Sequence, residues 1–339
     1  MPRIRSRALA GVVALAAAGL ALVGCSGGGN APGPEGATAI SFQLDWVKDT
    51  GFAGMFVADA DGYYAEEGLE VDFLDGSDVA STAAVIAGGG AEIGIVSNLA
   101  RFVDAIGTGA DLVVVGALYQ QSPAGLMTVP PLTVKSAEDL VGLRIGTDES
   151  GTADIDTLFK VNGLQPDWED VRVGYDAAPL FDGQIDAYYA YVTNQPIPYQ
   201  LQGIDVNTVT FADLGFESYA GLIVTTRSFF EEHRDAVVGF VRATQRGWQA
   251  TIDDTTAAAK TVIASYGADL GLDEPTQVAS LDAMIPLIQS AYTASNGLLA
   301  MDPAALAGPM TDALVASGRT GLPDFGKVFD ATVVKDAKK

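Results

Sequence analysis

The chain has 339 residues, 48% of them hydrophobic, with 19 Lys and Arg against 43 Asp and Glu for a net charge of −24. That balance repels nucleic acid and anionic lipid head groups, so no nucleic-acid partner is expected. With one cysteine, Cys25, and one histidine, His233, the chain lacks the donor sets of ordinary zinc or thiol chemistry, and neither a metal nor a cofactor is expected.

At the N-terminus Arg3, Arg5 and Arg7 form a basic start, and residues 8–24 are uncharged and rich in Ala, Leu and Val. The stretch falls short of the ~20 apolar residues that span a bilayer and has the make-up of a secretory signal. Leu22-Val23-Gly24-Cys25 resembles a bacterial lipobox, which implies cleavage before a diacylated cysteine. The expectation is a signal peptide at 1–24 and an extracytoplasmic protein held to the cell membrane by lipid on Cys25. Residues 25–39, rich in Gly and Pro, read as a flexible tether.

A strand is predicted at 40–44, then a loop at 45–51 and a helix at 52–64, where Phe52, Met55, Phe56 and Val57 keep helical spacing. Strands follow at 69–74, 91–96 and 112–117, with helices at 79–87 and 99–106 between them. This alternation indicates βαβ units on a mostly parallel sheet. Pro130-Pro131 interrupts the pattern, and a second series begins. It comprises short helices at 137–140, 178–183 and 197–202, strands at 144–146, 171–175 and 187–191, a longer helix at 152–162 and an extended run at 206–210. Residues 222–225 read as a strand returning to the first unit, and the rest as helices at 229–252, 255–265, 275–292 and 303–316. About 300 residues exceed what one core normally organises. Two α/β lobes are expected, 40–130 plus 222–339 and 131–221, hinged where the chain crosses twice.

Leu44-Asp45-Trp46, Phe56-Val57-Ala58, the run GYYAEEGLEV at 62–71, GIVS at 94–97, DLVGLRIG at 139–146 and DAYYAYVTNQP at 186–196 stand out. Together they resemble the ABC-transporter solute-binding family for thiamine pyrimidine precursors, whose relatives bind riboflavin, nitrate, sulfonates or taurine. The resemblance spans roughly residues 40–250. It implies a type II periplasmic-binding-protein fold, a ligand between the lobes, and an ABC permease with its ATPase as partners.

In open α/β sheets ligands sit at the C-terminal ends of the strands. The candidate ligand contacts at those ends are Asp45, Trp46, Ser97, Asn98, Tyr119, Gln120, Glu149, Gly151, Thr152, Tyr175, Tyr188, Tyr191 and Asn194. Aromatic rings and two-sided amides suit a flat, neutral heteroaromatic, and Lys48 and Arg101 are the only cations nearby. An aminopyrimidine is the expected small-molecule ligand. A flavin is the alternative, and a nitrate, sulfonate or taurine site would call for more positive charge. Each residue has a plainer role to weigh: Trp46 as core, Asp45 as a helix cap, Asn194 as a turn residue, and Glu149 and Thr152 as parts of a helix N-terminus. Tyr188 and Tyr191 point to opposite sides of a regular strand, so one of them is expected in the core. The enzymatic relative, a pyrimidine synthase, uses a lysine and a sacrificial histidine. The resemblance places those positions near Val96 and Ala100, so no catalytic residue and no enzyme activity are expected.

Overall fold

The computed structural model describes residues 36–338, less the side chains of 149 and 150. The expected signal peptide and Cys25 lie outside the described residues. The expected tether ends early: Thr38 and Ala39 already belong to the first strand, where the Thr38 N–H donates to the Gly68 carbonyl at 2.8 Å.

The chain begins with β1 (Thr38–Gln43), α1 (Ala53–Ala60), α2 (Tyr63–Glu66), β2 (Leu69–Leu74), α3 (Thr82–Ala87), β3 (Ile93–Asn98), α4 (Leu99–Gly107) and β4 (Leu112–Tyr119). It continues through β5 (Ala124–Thr128), β6 (Arg144–Thr147), α5 (Glu149–Val161), β7 (Glu169–Arg172), α6 (Ala178–Phe181), β8 (Ala187–Tyr191), α7 (Ile197–Leu201) and β9 (Asn207–Thr210). Then come β10 (Ala220–Thr226), α8 (Arg227–Glu232), α9 (Arg234–Asp253), α10 (Thr255–Ser265) and α11 (Glu274–Ile288), with shorter helical segments after them.

These strands form two five-stranded sheets, ordered β2-β1-β3-β10-β4 and β7-β6-β8-β5-β9. In each sheet one strand runs against the other four: β10 is antiparallel to β3 and β4, and β5 is antiparallel to β8 and β9. Those two strands are where the chain enters from the opposite lobe. The boundary expected at residue 130 therefore moves back. Residues 124–128 pair into the second sheet, and the first crossing falls between Tyr119 and Ala124.

Helices cover both faces of the first sheet, which is why its central strands are apolar throughout rather than alternating. On β4 every residue is buried. Val113 and Val115 join Phe42, Phe240 and Trp248 on one face, while Leu112, Val114 and Ala117 join Phe102 and Leu222 on the other. The second sheet repeats this on a smaller scale, with Leu126 and Ile145 on one face and Met127 and Tyr188 on the other.

The helix expected at 229–252 is divided at His233, whose φ of −130° and ψ of 36° leave the helical region. The run expected at 275–292 stops at Ile288, where Gln289 turns extended and Ser290 caps a new helix at Ala291–Asn296. Among the described residues no helix is long and apolar enough to cross a membrane.

Candidate ligand-binding cleft

The strand ends of the two sheets face one another across a cavity of about 1090 Å³. Its wall is built from local constraints. At the last residue of β1, the Gln43 side-chain amide donates to the Leu44 and Asp75 carbonyls, binding the ends of β1 and β2 together. Gly76 lies flat against this corner, where a Cβ would stand 2.4 Å from the Trp46 nitrogen and 2.5 Å from the Leu44 oxygen. Only glycine permits that approach, and the corner it forms carries Asp45 and Trp46 into the cavity.

Trp46 and Tyr175 meet across the cleft, with ring centroids 6.3 Å apart and planes 23° from parallel. One ring follows β1 in the first lobe and the other follows β7 in the second. They are 46% and 58% exposed, uncommon for rings of this size unless a surface is used for binding. The Tyr175 hydroxyl has Asn194 as a polar neighbour in the same cavity. Behind it the buried Tyr188 hydroxyl donates to the Tyr175 carbonyl at 2.9 Å. Of the two strand tyrosines, Tyr188 is thus the one in the core, although an edge of it still reaches the cavity.

Deeper in, the Ser97 hydroxyl lies near the Asp45 carboxyl and favours its charged form. Asn98 caps α4, accepting from the Arg101 N–H at 2.9 Å. Tyr119, at the end of β4, has Thr193 from the loop after β8 as a polar neighbour. Tyr191 completes this wall, its backbone N–H donating to the Gln195 side chain at 2.9 Å. Burial drives the hydroxyl pKa values of Tyr119 and Tyr191 upward, so both remain neutral hydrogen-bonding groups.

Burial also pushes the Asp45 carboxyl up to about 6, against the Ser97 hydroxyl, with neighbouring Asp49 adding to the rise and Arg101 opposing it least of all. Asp49 is likewise pushed up to about 6 by burial, although the Gly51 N–H donates to it at 2.8 Å. Arg101 is the only cation among the described residues that line the cavity; Asp104 and Asp148 are its other acids. Asp104 is held from outside by Arg319 through two contacts of 2.7 Å, and Asp148 accepts from the Gly151 N–H at 2.9 Å.

Nine of the thirteen expected contacts reach this cavity: Asp45, Trp46, Ser97, Asn98, Tyr119, Tyr175, Tyr188, Tyr191 and Asn194. Three do not line it. Gln120 turns away to donate to the Ala117 carbonyl and accept from Ser290. The Thr152 hydroxyl is engaged by Asp170 at 2.8 Å at the start of α5. Gly151 packs against Tyr189, where a Cβ would lie 2.8 Å from the ring. These two serve the helix start, the plainer role weighed for this segment. The Glu149 side chain lies outside the described residues.

Asp49, Thr193 and a third wall made by Gln277, Ser280 and Met284 of α11 also line the cavity, and none of them is among the thirteen expected contacts. Gln277 is drawn to the cleft by Thr50, whose hydroxyl donates to it at 2.7 Å. A helix more than 200 residues downstream of the first loop gave no local signal.

A family profile described as NMT1/THI5 like matches residues 49–258. The riboflavin-binding protein RibY of Chloroflexus aurantiacus is 27% identical over 267 residues, covering 76% of this chain and 75% of that protein. The formylaminopyrimidine-binding protein of Halalkalibacterium halodurans is 23% identical over 275 residues, 78% of each. The 4-amino-5-hydroxymethyl-2-methylpyrimidine phosphate synthase of Legionella pneumophila is 25% identical over 216 residues, 61% of this chain and 67% of that one. Among solved structures, the periplasmic aliphatic sulphonate binding protein SsuA of Escherichia coli superposes with a TM-score of 0.64 at 16% identity, over 86% of this chain and 91% of that one. That likeness establishes a two-lobed periplasmic-binding-protein fold.

Proposed function

From the premise that the chain belongs to the NMT1/THI5-like family, we propose that it is the solute-binding component of an ABC importer and takes a flat nitrogen heteroaromatic, an aminopyrimidine of the thiamine-precursor kind, between its lobes. The observation that carries this reading is the facing of Trp46 and Tyr175. A planar ring sandwiched between two others needs a contact of about 3.5 Å on each side, or about 7 Å in all. The observed centroid distance of 6.3 Å is within 1 Å of that spacing, so a slight opening of the lobes would admit one ring between them. The Asp45, Asn194, Ser97 and Thr193 side chains provide hydrogen-bonding groups in the same cavity.

Binding rather than synthesis is supported by the composition of the cavity. Its described lining residues include no histidine, lysine or cysteine, and Val96 stands where the synthase resemblance would place an amine. His233 sits at the junction of α8 and α9, its ring 4.8 Å from that of Phe229. The sulfonate binders share the fold, but four carboxylates and one guanidinium make a poor cradle for an anion. The mechanism is capture and closure: ligand contacts from both lobes favour the closed form by their difference in affinity for it.

A second reading, riboflavin, is favoured by the size of the cavity. About 1090 Å³ lies just above the usual range of about 300–1,000 Å³ for sites that hold drug-sized ligands. Titration calorimetry with 4-amino-5-hydroxymethyl-2-methylpyrimidine, riboflavin, taurine and nitrate separates the readings. Tight binding of the pyrimidine is expected; preference for taurine or nitrate refutes the ligand class. The protein is further proposed to be extracytoplasmic and lipid-anchored through Cys25, on the strength of the Leu22-Val23-Gly24-Cys25 sequence. A lipid precursor fed to cells should label the wild type and spare Cys25→Ser, and equal labelling counts against the anchor.

A further inference from the structure

Asp45 and Asp49 have a feature that ring stacking alone does not use. Both carboxyls border the cavity that holds Trp46 and Tyr175. A carboxylate offers about four acceptor positions. Asp45 is engaged by the Ser97 hydroxyl and its own backbone amide, and Asp49 by the Gly51 N–H. All of these donors are neutral. The other two acids of the lining differ: Asp104 faces the Arg319 guanidinium and Asp148 the start of α5. The groups that act on Asp45 and Asp49 come from every side of the site. Arg101 reaches Asp45 from α4, while Tyr191 from β8, Tyr119 from β4 and Tyr175 from the loop after β7 are neutral phenols. Asp45 and Asp49 repel one another, and closing the lobes over a ligand removes the water that screens them.

Resting on the heteroaromatic reading above, we infer that Asp45 and Asp49 select a ligand that carries one positive charge in the bound state, so that a neutral ring base such as an aminopyrimidine is bound together with a proton. The pair thereby discriminates between rings of equal shape. A basic nitrogen heterocycle is retained and a non-basic one of the same outline is disfavoured. The upward displacement of both carboxyl pKa values toward neutrality comes chiefly from burial, which disfavours their charged forms, and a cationic ligand would offset that cost.

The test is titration calorimetry of the mature protein with 4-amino-5-hydroxymethyl-2-methylpyrimidine at pH 7.5, in phosphate and in Tris. These buffers differ in ionisation heat, so a difference in apparent enthalpy counts protons. Uptake of more than half a proton per ligand is expected for the wild type. Asp49→Asn and Asp45→Asn, each confirmed as folded by its melting curve, are expected to take up less than half as much and to bind at least fivefold more weakly. Identical heats in both buffers with intact binding overturn this inference and leave the ring-binding reading standing. Absence of binding by the pyrimidine and by riboflavin overturns both.

Discussion

Tyr119 at the end of β4 and Thr193 in the loop after β8 line the same cavity and act on one another as polar neighbours, so a strand end of the first lobe meets a strand end of the second. A hydroxyl contact of this kind exists only when the lobes are together, and a hydrogen bond formed there on closure would contribute about 1 kcal/mol. Tyr119→Phe is therefore expected to shift the unliganded protein toward the open form and to weaken ligand binding about fivefold, while leaving the melting temperature of either lobe unchanged. Small-angle scattering of the free and saturated variant checks this. An unaltered radius of gyration in the free state, with unaltered affinity, would count against a closing role.

Trp46 and Tyr175 should act as a pair. A base stacked on one aromatic face is worth about 1–3 kcal/mol, so Trp46→Ala or Tyr175→Ala alone is expected to weaken binding by tenfold or more. Once one ring is lost the other no longer encloses the ligand, and the double variant should lose less than the sum of the two single losses. Titration of all four proteins completes the cycle. Strict additivity would show the two rings binding independently rather than as a clamp.

Asp154 makes the stability of the empty protein depend on pH. It lies on α5, accepts from the Tyr189 hydroxyl at 2.9 Å, and is pushed up from the ordinary 3.8 to about 6, mainly by burial. Asp45 and Asp49 are raised in the same way. Between about pH 4 and pH 6 the folded chain holds protons that the unfolded chain has released, so stability is greatest at the acid end of that window and declines as pH rises through 6. Asp75, Asp139 and Asp186 are lowered instead and set an acid limit below pH 4. The unliganded protein is thus expected to melt at a higher temperature at pH 5 than at pH 7.5. Asp154→Asn should raise the pH 7.5 value and narrow the gap. Thermal scans across this range decide it.

The architecture was legible because it rests on short apolar runs punctuated by glycine. Residues 112–117 and 222–225 are buried on both faces, and strands of that kind declare themselves. The segment at 124–128 did not. Its sequence AGLMT is brief, runs into Pro130-Pro131, and has no period; only its pairing with β8 and β9 assigns it to the second sheet. At the cleft, Asp45, Trp46 and Tyr175 were readable from their places at strand ends. Asp49 read as a loop residue, since nothing in the sequence reveals that the chain turns back there to meet Gln277 of α11. Thr152 and Gly151 misled for the opposite reason. Hydroxyls and glycines at a helix start suit a ligand and a structural role equally, and here the Asp170 carboxylate takes the Thr152 hydroxyl and the packing of Tyr189 takes Gly151.

The crossing of α1 and α9 supplies the last prediction. At Gly247 a Cβ would stand 1.9 Å from the Gly54 carbonyl oxygen and 2.8 Å from the Ala58 nitrogen, both backbone atoms. At Gly54 it would stand 2.2 Å from the ring of Trp248, which is fully buried. The two helices can pack this closely only because both positions lack side chains, and backbone cannot yield as a flexible side chain can. Overpacking typically costs about 1–3 kcal/mol and sometimes more; with backbone in the way, Gly247→Ala belongs at or above the top of that range. Gly107 is the control. It ends α4, and a Cβ there meets nothing within 4 Å, so Gly107→Ala should be neutral or stabilising by about 0.4–1 kcal/mol through the unfolded chain. Urea unfolding of both variants measures the contrast. Equal stability would mean that α1 and α9 can separate at no cost, and that the first lobe does not depend on this contact to hold its ligand loops in place.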